Sequence, residues 1–284
     1  MEQTMMALTV VATALILLSA SVYDWKYREI PDWHWGLLFI IAAIISVAVT
    51  VRESLGFPGI LMTMCIGLIA FDCAYDRYSS IVFDILLYAS IAITAYLAFR
   101  LIGGDVARTF VSIPIMYAAM NILYYTGIIK GGADAKSIIA ISAVFPTYPE
   151  LFGMPLIPVP EGLVSSVFVP GFAVLTMALV ISLLYGVYNV VRNLIKGDTA
   201  FPQMFMGTRM PLEKAKVSMV WPMEDIVDDE MVDTATANEE EDIWTKLENH
   251  GAQEIWVTAI IPFLIPITIA FFLVVTVGFP LFIL

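Results

Sequence analysis

The sequence predicts an all-α polytopic membrane protein of about eight transmembrane helices, with a small cytoplasmic domain, open to some β content, inserted before the last helix. Three observations predict it. Of 284 residues, 60% are hydrophobic and 14% charged, and the mean hydropathy is +0.87, outside the range of ordinary soluble domains. The apolar residues fall in long runs that carry few charges. Residues 197–254 hold 14 Asp/Glu against 4 Lys/Arg, a net of −10 out of −12 for the chain, so the acid surplus lies in one hydrophilic segment. That balance excludes a nucleic-acid partner, whose phosphates need a basic surface.

The first run, Thr4 to Tyr23, is 20 residues without a charge, long enough to cross a hydrocarbon core of ~30 Å as a helix. Only Glu2 precedes it, so the basic region of a cleaved signal is missing and the run reads as a retained span. Trp33 to Val51, Pro58 to Tyr75, Ile81 to Phe99 and Phe110 to Ile129 follow. Ala133 to Phe145 is too brief to cross unaided, but Gly131 and Gly132 let it start within protein or a wet cavity. Five prolines between Pro146 and Pro160 mark an extended loop. Gly171 to Val191 and Ile255 to Val277 complete the set.

The domain expectation is therefore a helical bundle over 1–196, an acidic domain over 197–254 and a final span within 255–284. Ala215 to Pro222 is rich in β-formers and reads as a strand, whereas Glu224 to Asp242 is dense in acid and reads as disordered or loosely packed.

Charge sets the orientation. With the N-terminus outside, one face carries Lys26, Arg28, Arg77, Lys130, Lys136, Arg192, Lys196, Arg209, Lys214, Lys216 and Lys246, and the other only Arg52, Arg100 and Arg108. The first face is then cytoplasmic, in a multi-pass protein of the cell membrane. The two cysteines, Cys65 and Cys73, form no Cys-x-x-Cys pair, and His34 and His250 have no ligand spacing, so no metal is expected. Isolated histidines of this kind read as interfacial or solvated, and Trp25, Trp33 and Trp35 as an interfacial belt.

Against this background one stretch stands out. Lys130-Gly131-Gly132-Ala133-Asp134-Ala135-Lys136 is a polar, glycine-rich island between apolar runs. A carboxylate at the edge of a hydrocarbon layer is costly and needs a named partner. Asp24, at the end of the first run, falls on the same predicted face. Two carboxylates close enough to repel share one proton; the ionised one can take a proton from water while the other polarises a peptide carbonyl, with no cofactor. Glycines beside them permit close backbone approach of an extended substrate. Gly103-Gly104-Asp105 repeats the pattern by chance on the opposite face. Asp72 and Asp84 are the next candidates, and Asp76 with Arg77 is expected to form a turn.

Asp24-Trp25-Lys26-Tyr27-Arg28-Glu29-Ile30-Pro31-Asp32 resembles the Asp-x-Lys-x-Arg-Glu-Ile-Pro stretch that follows the first span of archaeal preflagellin and prepilin peptidases, membrane aspartic proteases of the Gly-x-Gly-Asp type. Gly131-Gly132-Ala133-Asp134-Ala135-Lys136 resembles their second aspartate motif, with Ala133 where the strict motif has Gly. The resemblance implies a catalytic pair Asp24 and Asp134, supported by Lys26, Arg28, Gly131, Gly132, Ala133 and Lys136. It implies an endopeptidase, free of metal or cofactor, that removes the short basic leader of archaellin or type IV pilin-like precursors at the cytoplasmic membrane face. Its partners are those precursors and the lipid bilayer. The cysteine-rich loop of the N-methylating bacterial relatives is absent, which implies cleavage without methylation. Two readings from other classes stand beside it: a cation- or proton-coupled transporter using the same two aspartates beside a broken helix, and a presenilin-like protease, suggested by Tyr23-Asp24 but lacking that family's Pro-Ala-Leu motif.

Overall fold

The computed structural model describes residues 2–75, 80–129, 131–160, 168–234, 236–259 and 262–283. Lys130, Asp76 and Arg77 of the expectations above lie outside the described residues. The chain divides into two compact units, 1–178 with 262–284, and 179–261.

The first unit is helical. Its elements are α1 (Glu2–Tyr27), α2 (Trp33–Arg52), α3 (Phe57–Ala74), α4 (Ile81–Ile102), α5 (Gly104–Tyr125) and α6 (Gly132–Val144). The first part of α7 (Pro170–Lys196) and, at the C-terminus, α11 (Leu264–Thr276) complete it. Among the described residues seven helices are long and apolar enough to cross a membrane: α1 to α5, α7, and α11 continued to Ile283. The 26 residues of α1 rise ~39 Å at ~1.5 Å each, whereas the 13 of α6 reach only ~20 Å and fall short of the ~30 Å hydrocarbon core.

Helix α6 is buried within the unit. Ala135 and every residue from Ser137 to Val144 are buried, against α2, α3 and α5. A helix apolar all round belongs inside a bundle. Small residues let neighbours approach, and the hydroxyls of its two serines bond back within the helix, Ser137 Oγ to Asp134 O at 2.6 Å and Ser142 Oγ to Ile138 O at 2.8 Å. The outer helices instead expose Leu, Ile, Val and Phe on one side, as lipid contact requires.

Helix α11 packs on α1 through hydroxyls. Ser21 Oγ donates to Leu264 O at 3.1 Å and lies 2.7 Å from Thr268 Oγ1, which in turn lies 3.3 Å from Leu17 O. These groups are buried, so the seam is fixed in rotation as well as in distance.

The second unit holds a three-stranded antiparallel sheet in the order β1-β5-β2, from β1 (Thr208–Pro211), β2 (Val220–Pro222) and β5 (Glu254–Ala259). Arg209 pairs with Trp256 and Pro222 with Val257. Leu212 and Ala215 of the short α9 (Leu212–Lys216), Ile243 and Leu247 of α10 (Ile243–Asn249), and Ile255 and Val257 of β5 form its core. A hairpin of β3 (Glu224–Val227) and β4 (Glu230–Asp233) turns at Asp228 and Asp229, both with positive φ, 52° and 64°, as a tight two-residue hairpin turn requires. One further turn of helix, α8 (Gln203–Met206), is tied to α7 by Asn193 Nδ2, which donates to Met204 O at 2.9 Å and Gly207 O at 2.7 Å.

Several expectations are corrected. The last span starts at Leu264, because Ile255 to Ala259 is the central strand of the sheet; a short run of β-branched and aromatic residues reads the same in either state by hydropathy alone. Span five runs Gly104–Tyr125 rather than from Phe110 to Ile129, since Gly103 and Gly104, at φ 67° and 61°, break the chain earlier. The expected strand from Ala215 survives only as Val220–Pro222, and Glu224 to Asp233 is an ordered hairpin rather than loose chain. Trp35 is wholly buried, while Trp25 and Trp33 are exposed.

Candidate active site

Asp24 lies in the last turn of α1. The helix ends where Arg28 adopts φ 58°, its N–H still donating to Asp24 O at 3.2 Å. A carboxylate near a helix C-terminus meets the negative end of the dipole. Here that is offset by a second helix: Asp24 Oδ2 accepts from the backbone N–H of Leu264 at 3.3 Å, one of the amides that α11 leaves unpaired at its N-terminus. The charge of Arg28 also acts on Asp24. Lys26 is exposed and Arg28 half-buried.

The segment after Asp24 is pinned back by His34, which is 0% exposed. Its Nδ1 lies 2.9 Å from Pro31 O and its Nε2 3.1 Å from Ser19 Oγ. A carbonyl oxygen only accepts, so Nδ1 carries the proton and Nε2 of a neutral ring accepts from the Ser19 hydroxyl. Trp33 stacks on the imidazole at 3.7 Å between centroids, and Tyr23 meets its edge at 5.2 Å. The sequence reading of His34 as interfacial or solvated is therefore corrected: it is a buried staple between α1 and the start of α2. Its signal was its place, a lone imidazole inside an otherwise apolar run.

Asp134 enters from the other side, in the first turn of α6, where free helix amides favour a carboxylate. Its side chain folds back over Gly131. A Cβ at Gly131 would overlap Asp134 Oδ2 and stand 2.8 Å from its Cγ, whereas one at Gly132 would meet only the Tyr124 ring, at 3.7 Å. The two glycines of the motif thus differ: the first makes room for the carboxylate and the second does not. Ala133 is half-buried beside them. Asp24 and Asp134 lie close enough for the charge of one to act on the other.

Lys136, two residues after Asp134, binds Asp32 across 104 positions, Nζ to Oδ1 at 2.7 Å. Nothing in the spacing of the two motifs marked Asp32 as its partner. The rival carboxylates lie in other settings. Asp72 accepts from Tyr117 Oη at 2.6 Å; Asp84 is in the first turn of α4, with Ser80 capping that helix; and Asp105, 94% exposed at its side chain, pairs with Arg108 at 3.4 Å.

No protein-family model matches the chain. Two curated proteins are similar to it along nearly its whole length. The preflagellin peptidase of Methanocaldococcus jannaschii is 23% identical over 274 residues, covering 93% of this chain and 92% of that protein. The preflagellin peptidase of Methanococcus maripaludis is 26% identical over 272 residues, covering 93% of each. Both similarities support the same preflagellin peptidase-like family that the two aspartate motifs resemble.

Proposed function

From this preflagellin peptidase-like multi-pass membrane chain, we propose a membrane aspartic endopeptidase that removes the basic leader of archaellin or type IV pilin-like precursors, with Asp24 and Asp134 as the catalytic pair. The observation that carries the reading is that the aspartates of the two motifs, 110 positions apart, each stand at the end of a helix, Asp24 accepting from the Leu264 N–H and Asp134 folded back over Gly131. In the reaction proposed, the substrate and water bring the pair close enough that one carboxyl holds a proton while the other is ionised. The ionised carboxylate takes a proton from water as the water oxygen attacks the scissile carbonyl, and the protonated carboxyl donates to the carbonyl oxygen. The tetrahedral adduct collapses with the C–N bond breaking and the amine leaving with a proton from the dyad. No metal or cofactor enters.

The charge distribution supports a topology with the N-terminus outside and Asp24, Asp134 and residues 197–254 on the cytoplasmic side, where a basic leader is found. Exposed Lys26 and half-buried Arg28 follow Asp24 at the end of α1.

The test is cleavage of precursor panels in membranes by the wild type, Asp24→Asn, Asp134→Asn and Asp105→Asn. Each dyad variant is expected to lose at least ~10³-fold in rate, the scale of a general acid or base, and Asp105→Asn to match the wild type. Cutting by either dyad variant at the wild-type rate overturns the assignment.

A further inference from the structure

We infer that the Asp32–Lys136 ion pair is a clasp that sets the separation of the two aspartates, and that both residues are positioning residues for the reaction proposed above, on which the inference rests. Four observations carry it.

First, the pair joins the two halves of the site. Asp32 ends the segment that begins at Asp24, and Lys136 follows Asp134 by two residues on α6. The span between Asp24 and Asp32 is held by Arg28 N–H to Asp24 O, by His34 on Pro31 O, and by Ser19 on His34. The position of Asp32 therefore reports that of the end of α1, and Lys136 reports the first turn of α6.

Second, Asp32 forgoes its ordinary task. It stands at the N-cap of α2, where an aspartate normally turns its carboxylate onto the free amides of the first turn. Its side chain makes no such bond; its Oδ1 accepts from Lys136 Nζ instead. The cap's backbone role is kept, since Asp32 O accepts from Gly36 N at 3.0 Å.

Third, the pair is sheltered. The two side chains are 25% and 23% exposed, so the attraction is far less screened than that of Asp105 with Arg108, at 94% and 68%.

Fourth, Lys136 stands two residues after Asp134 on α6, and residues i and i+2 of a helix do not share a face. It sits beside the end of α3, where the charges of Asp32, Lys136 and Asp72 all act on Cys73. A lysine in that position ties the first turn of α6 to the start of α2.

The experiment is a double-mutant cycle on the full chain in membranes, with two readouts. Lys136→Met, Asp32→Asn and the double variant are compared for leader cleavage. In parallel, Asp24→Cys with Asp134→Cys, in a chain carrying Cys65→Ala and Cys73→Ala, is cross-linked by a short bifunctional thiol reagent with and without the clasp changes. Each single change should lower kcat about tenfold with KM within twofold and lower cross-linking in step. The double variant should be no worse than the poorer single, because one interaction is lost once. Lys136→Arg, which keeps the charge, should recover both readouts and shows that the fold tolerates change there. A rise in KM with kcat unchanged assigns Lys136 to the substrate and overturns the clasp. So do additive losses, or unchanged cross-linking. Reduced cross-linking together with full activity of Asp24→Asn overturns the proposed catalytic pair and leaves the clasp standing.

Discussion

Both units bury carboxylates, and they bury them differently. In the membrane unit, Asp24 and Asp134 are half-buried at helix ends, with the Leu264 N–H on one and space over Gly131 for the other, on which the charge of Asp24 acts. In the second unit Glu224 is 0% exposed; Oε1 accepts from Trp256 N–H at 3.0 Å and Oε2 has no hydrogen-bond partner among the described residues. The difference teaches that burial alone does not set the proposed catalytic pair apart from other carboxylates. A reacting group needs an opening for substrate and a partner with which to share a proton, and Glu224 lacks the opening.

The sharpest way to break the comparison, after removal of the dyad itself, lies at the glycines. Gly131→Ala places a methyl where Asp134 Oδ2 now lies. The colliding atom is the tip of a side chain, which can rotate away, so the fold should survive while the carboxylate leaves its place. A shift of ~1 Å at a reacting group costs on the order of 10²-fold. Cleavage by Gly131→Ala should fall by about that factor at unchanged yield of folded protein, and Gly132→Ala should stay within about twofold of wild type, its methyl making only ordinary van der Waals contact. Equal loss in both would mean that helix start, not carboxylate placement, is what the glycines serve.

A smaller effect is expected at the seam that holds Asp24 to α11. Thr268→Val keeps the shape and removes the hydroxyl that meets Ser21 Oγ and Leu17 O, while Ser21 still donates to Leu264 O. A buried hydrogen bond contributes about 1 kcal/mol to stability, so the seam should loosen, the thermal midpoint drop slightly and kcat fall by less than in Gly131→Ala. An unchanged rate would show that Asp24 does not depend on this seam for its position.

Hydropathy and charge made most of the membrane unit legible, because a spanning helix needs a long apolar run and nothing else satisfies its backbone in lipid. The ends of spans were less legible. Asp105 and Arg108 lie in the first turns of α5, where their charges read as a loop, and Ile255 to Ala259 is apolar as a strand just as it would be as a helix. Asp24 and Asp134 were legible as charges at apolar edges. Their supports were not: the Leu264 amide is backbone, invisible to residue identity, and Asp32 is joined to Lys136 only by how α2 meets α6. The hairpin at 224–233 was misread because its acids suggested solvated chain, whereas one of them, Glu224, faces inward and braces β5.

Glu224 gives the smallest effect, one that cleavage should not register at all. Burial is the main cause that pushes its carboxyl above the usual value of 4.5; the Trp256 N–H and the Arg209 charge act the other way. Between the ordinary value and the raised one, the folded unit therefore binds more protons than the unfolded chain, and stability falls as pH rises through that window. Glu224→Gln keeps an oxygen for the Trp256 amide and removes the titration. Hydrogen exchange at the Trp256 amide, in the full chain in detergent, should show the two proteins equally protected near pH 4, with the wild type less protected than the variant as the pH is raised to 8. The ratio at each pH removes the intrinsic pH dependence of exchange. A ratio independent of pH would mean that Glu224 stays ionised throughout, with the nearby Arg209 guanidinium, rather than burial, governing it. Glu224 would then be an ordinary ion-pair carboxylate, and the contrast with the membrane aspartates would rest on exposure alone.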